Sequence, residues 1–156
     1  MKIQLIAVGK LKQAYAQVGC TLFEKRLKQL CRFEIIEVHD AKRKGNEIQK
    51  WKEAEGVKIE RALGGIKEWI ALDERGKDLT SMELASLIQE RQNRSVQCLP
   101  FVIGGPDGLS DHLRKTAPYT LCLGKMTLPH ELARLTLLEQ LYRAQTIMQG
   151  TGYHRP

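Results

Sequence analysis

The sequence lacks the features that mark membrane-spanning, disulfide-stabilised and metal-binding proteins. The apolar run at residues 3–8 is short and interrupted by Gln4, so it fits neither a membrane span nor a secretory signal. The four cysteines form no CxxC pair, and the four histidines form no HExxH or HxxxH pair. We therefore expect a cytoplasmic protein with no membrane segment, no disulfide and no catalytic metal.

The sequence also has no GxSxG motif and no pairing of cysteine with histidine that would suggest a hydrolase. It contains no repeat, low-complexity stretch or linker. Of its 156 residues, 42% are hydrophobic and 28% are charged, which is close to the average for globular proteins. A chain of this length usually forms one core, so we expect residues 1–156 to be a single domain.

Charge is the first positive feature. Lysine and arginine outnumber aspartate and glutamate by 25 to 18, which gives a net charge of +7. Lys42, Arg43 and Lys44 form one basic cluster, and residues 113–156 carry six basic residues against two acidic ones. Because such an excess attracts polyanions, RNA or another phosphate-rich partner is favoured over a merely soluble basic protein.

Strand and helix patterns alternate along the chain. Apolar runs predict strands at residues 2–8, 33–38, 69–72, 96–103 and 119–123, with helices between them. Helical spacing of apolar residues predicts that the first helix is amphipathic. This alternation predicts an α/β fold, a mostly parallel sheet flanked by helices. The apolar residues of the first helix are Leu11, Tyr15, Val18, Leu22 and Leu30.

The predicted helix ends have recognisable signals. Thr80 and Glu83 form a capping box, and Pro129 is placed as the first residue of the last helix. That helix carries two apolar stripes, which together are wider than one face of a sheet can cover. Either a second partner surface or another helix of the same chain would explain the second stripe, and periodicity does not choose between them.

Two glycine-containing loops follow predicted strands, at residues 104–108 and 124–130. Ligands of parallel α/β sheets bind at such strand ends. The first loop matches neither GxGxxG nor a Walker A motif. Because glycine has no side chain, this loop would let a flat ligand approach the backbone closely. An equally good explanation is a tight strand-to-helix turn that needs glycine for its dihedral angles.

The C-terminal residues combine three useful chemical groups. Tyr153 offers a stacking ring, His154 a titratable imidazole and Arg155 a phosphate-binding guanidinium. Most C-terminal tails are nevertheless frayed and carry no function.

Four ordered motifs carry a family resemblance: FVIGGPDGLS at 101–110, TLPH at 127–130, EQLYRA at 139–144 and YHR at 153–155. Together they resemble the pseudouridine N3-methyltransferases of large-subunit ribosomal RNA, in the SPOUT class. The resemblance implies a C-terminal trefoil knot and a homodimer. It also implies transfer of a methyl group from S-adenosylmethionine to a pseudouridine of 23S rRNA in the assembled ribosome.

The same resemblance implies the site residues. His154 would accept the N3 proton, with His130 as the alternative, and Arg143 or Arg155 would stabilise the anion. The spacing of Glu139 and Arg143 also fits an ordinary helix-surface ion pair. The implied RNA contacts are Lys42, Arg43, Lys44 and Tyr153, and the implied cofactor contacts are Leu72, Gly105, Gly124, Lys125, Met126, Thr127, Leu128 and Pro129.

Three alternatives remain at the level of the sequence. A non-catalytic RNA-binding module of the same fold would use the basic cluster and the tail for phosphate contacts alone. An α/β enzyme for a small phosphorylated substrate would act without RNA. A methyltransferase of the same class could also modify a different RNA base.

Overall fold

The computed structural model describes residues 1–155, and the last residue of the predicted 1–156 domain lies outside them. Strands and helices alternate through this part of the chain. In order, the elements are β1 (Lys2–Val8), α1 (Ala14–Leu30), β2 (Arg32–Val38), α2 (Ile48–Leu63), β3 (Ile70–Asp78), α3 (Ser81–Asn93), β4 (Cys98–Ile103), α4 (Asp111–Thr116), β5 (Tyr119–Cys122) and α5 (His130–Met148).

The strands of residues 1–155 form one five-stranded sheet in the order β2-β1-β4-β3-β5. Every pairing is parallel, with Lys2 of β1 opposite Arg32 of β2 on one side and Cys98 of β4 on the other. This confirms the predicted α/β class. Strand β1 is buried from Ile3 to Val8, as expected for a central strand covered on both faces.

Helices cover both faces of the sheet. Ile3, Leu5 and Ala7 of β1 belong to the apolar cluster that includes α1, α3 and α5. Ile6 and Val8 belong to the second cluster, with residues of α2 and α4. Because successive side chains of a strand point to opposite faces, the two clusters form two separate layers of core.

The helix boundaries confirm one sequence signal and correct another. Thr80 Oγ1 accepts a hydrogen bond of 3.2 Å from the Glu83 backbone N–H, and Glu83 Oε2 accepts one of 2.7 Å from the Thr80 N–H, so the capping box is confirmed. Pro129 precedes α5 instead of opening it. Its ψ of 140° is extended, and its carbonyl accepts the Ala133 N–H at 2.8 Å, as an N-cap residue does.

Strand β3 is longer than predicted. We expected it to end at Leu72, followed by a turn, yet it continues to Asp78 because Leu121 of β5 pairs with both Leu72 and Lys77. Between those two residues, Gly76 lies so close to β5 that a Cβ there would be 2.6 Å from the Leu121 carbonyl carbon. The segment between Leu72 and Lys77 is thus an irregularity within β3, and both of its ends contact β5. The trefoil knot stays a prediction.

Helix α1 buries a different face from the one its larger apolar residues suggest. Its buried residues are Ala16, Cys20 and Leu27, because small residues allow α5 to approach closely. A Cβ on Gly19 would lie 2.6 Å from Leu135 Cδ1 of α5. The stripe formed by Tyr15, Val18 and Leu22, called the α1 stripe below, stays exposed.

Helix α5 packs against both α1 and α3 of its own chain. No residue of α5 is fully exposed. Helices of the same chain therefore cover much of both apolar stripes, although Leu132 and Leu135 stay partly exposed. Within residues 1–155, no helix is long and apolar enough to cross a membrane.

Candidate functional site

A cavity of about 330 Å³ lies at the carboxyl ends of β4 and β5 and beside residues 72–75 of β3. Three chain segments at these positions form its walls, and the first turn of α5 closes one side. Its apolar surface comes mainly from Leu72, Ile103, Leu121, Leu123 and Leu128. This is the position at which parallel α/β sheets bind ligands, and it coincides with the two loops singled out in the sequence.

The glycines of the 104–108 loop are required by the turn itself. A Cβ on Gly104 would lie 2.5 Å from the carbonyl carbon of Gly108, and Gly108 has a φ of +78°. The Gly108 N–H donates to the Gly105 carbonyl at 2.9 Å. Of the two explanations for these glycines, the structure supports the tight turn.

The 124–130 loop forms the opposite wall. Gly124 has a φ of +140°, a value that favours glycine, and its carbonyl accepts a 2.8 Å hydrogen bond from Cys122 Sγ. Thr127 Oγ1 donates to Glu74 Oε2 at 3.1 Å. This bond joins the loop to the residues after the buried part of β3.

Most of the predicted cofactor residues lie together. The lining includes Leu72, Gly105, Gly124, Met126, Thr127 and Leu128. Lys125 and Pro129 are exposed and do not line the cavity. Their assignment as cofactor contacts stays a prediction.

The lining also contains charged residues that the sequence did not indicate, namely Lys52, Asp73, Glu74, Arg75, Asp107 and Arg114. Arg114 Nε is buried, has no hydrogen-bond partner among the described residues, and lies 4.0 Å from Asp73 Oδ2. Buried N–H donors in proteins normally form a hydrogen bond, so this atom is available to donate one to a ligand. The sequence offered one signal for these charged lining residues, the acidic pair Asp73 and Glu74 directly after the third predicted strand.

His130, the alternative proton acceptor, lies in the cavity wall at the start of α5. Burial lowers its pKa below the usual value, Glu131 opposes this effect, and the cations of Arg43 and Lys12 add to it. Its imidazole is therefore largely neutral at pH 7, the form that accepts a proton.

The C-terminal residues are folded back onto α5 rather than frayed. Tyr153 donates from its hydroxyl to Glu139 Oε1 at 3.0 Å, and its ring lies 4.8 Å from the guanidinium of Arg143. His154 Nδ1 is 3.5 Å from Arg143 Nη1. Arg155 is exposed. The Glu139 and Arg143 ion pair is also present, so Arg143 joins the helix surface to the tail.

The tail and the cavity are well separated within one chain. His130 lies in the cavity wall, whereas Arg143, which contacts His154, is thirteen residues further along α5. At 1.5 Å per residue, their Cα atoms are about 20 Å apart along the helix. One chain therefore does not bring the predicted catalytic residues to its own predicted cofactor cavity.

The basic cluster at residues 42–44 divides into two environments. Lys42 and Lys44 are exposed to solvent. Arg43 Nη2 lies 3.3 Å from Glu55 Oε1 and 3.1 Å from Asp107 Oδ2. Within residues 1–155, Lys42 and Lys44 are thus the members of this cluster that have no acidic partner. Residues 1–155 contain no group of three or more histidine, cysteine, aspartate or glutamate side chains able to hold a metal ion.

Comparisons with known proteins agree with the geometry. Residues 1–154 match the family model described as a predicted SPOUT methyltransferase. The chain is 43% identical to ribosomal RNA large subunit methyltransferase H of Clostridioides difficile over 99% of its own length and all of that protein, and 42% identical to the protein of the same name from Latilactobacillus sakei, with equal coverage.

Two solved structures share the fold at low sequence identity. A probable methyltransferase from Bordetella pertussis superposes with a TM-score of 0.59 at 16% identity, covering 92% of this chain and 96% of that one. A putative methyltransferase from Legionella pneumophila, solved with bound S-adenosylmethionine, gives 0.55 at 16% identity, covering 92% and 66%.

Proposed function

This chain belongs to the SPOUT methyltransferase family, and we propose that it uses S-adenosylmethionine to methylate N3 of a pseudouridine in the 23S rRNA of the assembled ribosome, in the cytoplasm. The full-length similarity to relatives named as ribosomal RNA large subunit methyltransferases supports the RNA substrate. The observation that carries the proposal is the cavity between the 104–108 loop, the 124–130 loop and residues 72–75 of β3.

The residues of the cavity suit S-adenosylmethionine. Its volume of about 330 Å³ is at the lower end of small-molecule sites, and its leucine and isoleucine surface suits a flat adenine. Asp73 and Glu74 offer carboxylates to a cationic ligand. The buried, unpaired Nε of Arg114 offers a donor to an oxygen of the ligand. The six loop and strand residues identified in the lining would make the remaining contacts.

The reaction needs a proton acceptor and an anion stabiliser. Pseudouridine N3 loses its proton, its electron pair bonds to the methyl carbon that S-adenosylmethionine supplies, and the carbon–sulfur bond breaks. His154 would accept the proton, and Arg143 or Arg155 would stabilise the anion. His130 is the alternative acceptor, because it already lies in the cavity wall in a largely neutral form.

A homodimer would bring the tail of one subunit to the cavity of the other. The separation of about 20 Å along α5 supports this arrangement. The α1 stripe supports it independently, since 49% of Tyr15, 72% of Val18 and 44% of Leu22 are exposed. Three neighbouring exposed apolar residues on one helix face would suit a contact with another protein surface. A second copy of this chain is the occupant that would also complete the active site.

RNA contacts would come from exposed basic and aromatic groups. Lys42 and Lys44 extend from the loop before α2, near the cavity through the contact of Arg43 with Asp107. The net charge of +7 favours approach to phosphates. Tyr153 offers a ring for stacking on a base.

The first experiment measures transfer of labelled methyl from S-adenosylmethionine to ribosomes that lack the modification. We expect label at pseudouridine N3 with the wild-type protein and little label with His154→Ala. Label on another base would contradict the proposed specificity. No label and no cofactor binding would leave the RNA-binding module as the explanation.

The second experiment tests whether two subunits share one site. His154→Ala removes the tail group, and Leu128→Trp fills the cavity. Each variant alone should be inactive, whereas refolding them as a mixture should restore about a quarter of wild-type activity, because half of the dimers then contain one complete site. A mixture that stays inactive would contradict the shared site, and a His154→Ala variant that remains active would reassign the base to His130.

A further inference from the structure

Arg43 connects helix α2 to the wall of the cavity. Its Nη2 atom lies 3.3 Å from Glu55 Oε1 of α2 and 3.1 Å from Asp107 Oδ2 of the 104–108 loop. We call these three residues the Arg43 bridge. Asp107 lines the cavity, so the bridge joins the loop that forms this wall to a helix behind it.

The α2 end of the bridge is deeply buried. Glu55 is only 2% exposed, and its Oε1 also accepts the Ala41 backbone N–H at 3.0 Å. Its Oε2 has no hydrogen-bond partner among the described residues and lies 3.2 Å from where a Gly105 Cβ would be. A buried carboxylate is costly unless it is paired. Arg43 supplies the only positive charge within ion-pair distance of Glu55 in residues 1–155.

The orientation of Arg43 is further fixed by an aromatic ring. Its guanidinium carbon lies 5.6 Å from the centre of the Trp51 ring, within the range of a cation–π contact. Residues 42–44 are all exposed as whole residues, but the side chain of Arg43 is 29% exposed because it lies against Trp51 and the two carboxylates. One nitrogen, Nη2, lies between the two carboxylates and donates a hydrogen bond to Glu55 only. A planar guanidinium suits this position because it can lie over the Trp51 ring at the same time, which an ammonium on a shorter side chain does not reproduce.

We infer that Arg43 is a positioning residue for the cofactor cavity: by joining Glu55 to Asp107, it holds the 104–108 loop in the conformation that binds S-adenosylmethionine. The inference rests on the proposed function. It gives Arg43 a different role from the phosphate contact that the family resemblance implies. Lys42 and Lys44 then make the phosphate contacts of this segment.

Glu55 and Gly105 explain why the loop depends on the bridge. The Glu55 carboxylate occupies the space beside Gly105, so its position and that of the loop are set together. Without the guanidinium, the carboxylate is buried without a countercharge, and Asp107 loses its ion-pair partner. The helix and the loop would then separate to admit water, which changes the wall of the cavity.

The experiment compares Arg43→Lys with Lys42→Gln and Lys44→Gln. Arg43→Lys keeps the charge that a phosphate contact needs but shortens the side chain and removes the planar group that lies over Trp51 beside the two carboxylates. We measure the Kd for S-adenosylmethionine by calorimetry on the whole protein without ribosomes, and the KM for ribosomes separately. Arg43→Lys should weaken cofactor binding about tenfold or more and leave the ribosome KM nearly unchanged. The two glutamine variants should show the reverse.

Asp107→Asn provides a second variant that cuts only the loop end of the bridge, at a side chain that is 24% exposed. It should also weaken cofactor binding, with a thermal unfolding midpoint close to that of the wild type. Unchanged cofactor affinity in both Arg43→Lys and Asp107→Asn would overturn the inference, as would an affinity loss accompanied by general unfolding. A wild-type protein that does not bind S-adenosylmethionine would instead overturn the proposed function, and this inference with it.

Discussion

The carboxylate of Glu131 accepts a hydrogen bond of 2.8 Å from the backbone N–H of Gln13, the N-cap residue of α1. Its other oxygen accepts the Lys12 N–H at 2.9 Å. Gln13 makes no side-chain cap of its own, so a residue from the first turn of α5 satisfies backbone donors at the start of α1. This contact joins elements more than 110 residues apart in sequence.

Glu131→Gln should therefore destabilise the protein in a pH-dependent manner. Burial raises the pKa of Glu131, but the hydrogen bonds from Gln13 and Lys12 outweigh it and leave the pKa below its usual value. A lowered folded pKa gives stability that is present above the usual carboxyl pKa and lost as pH falls through the folded value. We expect a loss of about 1–3 kcal/mol at pH 7, shrinking toward pH 3, measured by urea unfolding. Glu24→Gln, which affects only a surface ion pair with Lys28, should change little at either pH.

Gly76→Ala should destabilise the protein strongly. The added Cβ would lie 2.6 Å from the Leu121 carbonyl carbon and 2.8 Å from its nitrogen, and backbone atoms within a sheet cannot rotate away. We expect a loss of about 1–3 kcal/mol or more by chemical unfolding, as for other steric conflicts in a core. Gly152→Ala, where no atom lies within 4 Å, is the matched control. Equal unfolding midpoints for the two variants would show that β5 does not pass so close to Gly76.

Val18→Asp should prevent dimer formation. Val18 is 72% exposed at the centre of the α1 stripe, so the change costs the folded monomer little, but a dimer would bury an unpaired charge. Light scattering should show a monomer, and methyl transfer should fall with the loss of the shared site. Met82→Asp replaces an exposed apolar residue of α3 and should leave the dimer intact. A dimeric Val18→Asp protein would place the subunit contact elsewhere.

Cys20 and Cys31 should react slowly with alkylating reagents. Burial raises the pKa of each thiol to about 11, and the thiolate is the reactive form. At pH 8, iodoacetamide should modify both residues about 100-fold more slowly in the folded than in the unfolded protein, as measured by mass spectrometry of peptides. The rate should rise with pH until about 11. Equal rates in the folded and unfolded states would contradict this prediction.

Local patterns predicted the elements of the fold well. The bounds of β1 and the capping box at Thr80 depend on neighbouring residues alone, and both agree with the structure. The length of β3 depends on pairing with β5, more than 40 residues further along. The buried face of α1 depends on the close approach of Leu135 to Gly19. Contacts of this kind leave no periodic signal in either segment.

In the candidate site too, the features set by neighbouring residues were predicted and those set by distant contacts were not. Its loops were located from the sequence because glycines follow strand ends, and most of the predicted cofactor residues do line the cavity. The position of Arg43 was not predicted. From the sequence, Glu55 is expected on the exposed surface of an amphipathic helix, whereas the fold buries it. The separation of the tail from the cavity likewise follows from the direction of α5, which periodicity does not reveal.

The parallel pairing of β1 with β4 sets the order of events during synthesis of the chain. Lys2 lies opposite Cys98, so the first strand made lacks one of its neighbours until β4 has left the ribosomal exit tunnel. At about 5–20 residues per second, that interval lasts on the order of 5–20 seconds. During this time the nascent β1 has unpaired backbone N–H and C=O groups along one edge and apolar side chains on both faces, which its own helix α1 or a chaperone would have to cover. A protein that we propose modifies ribosomes therefore pairs its first strand fully only after the ribosome has translated at least two thirds of the chain.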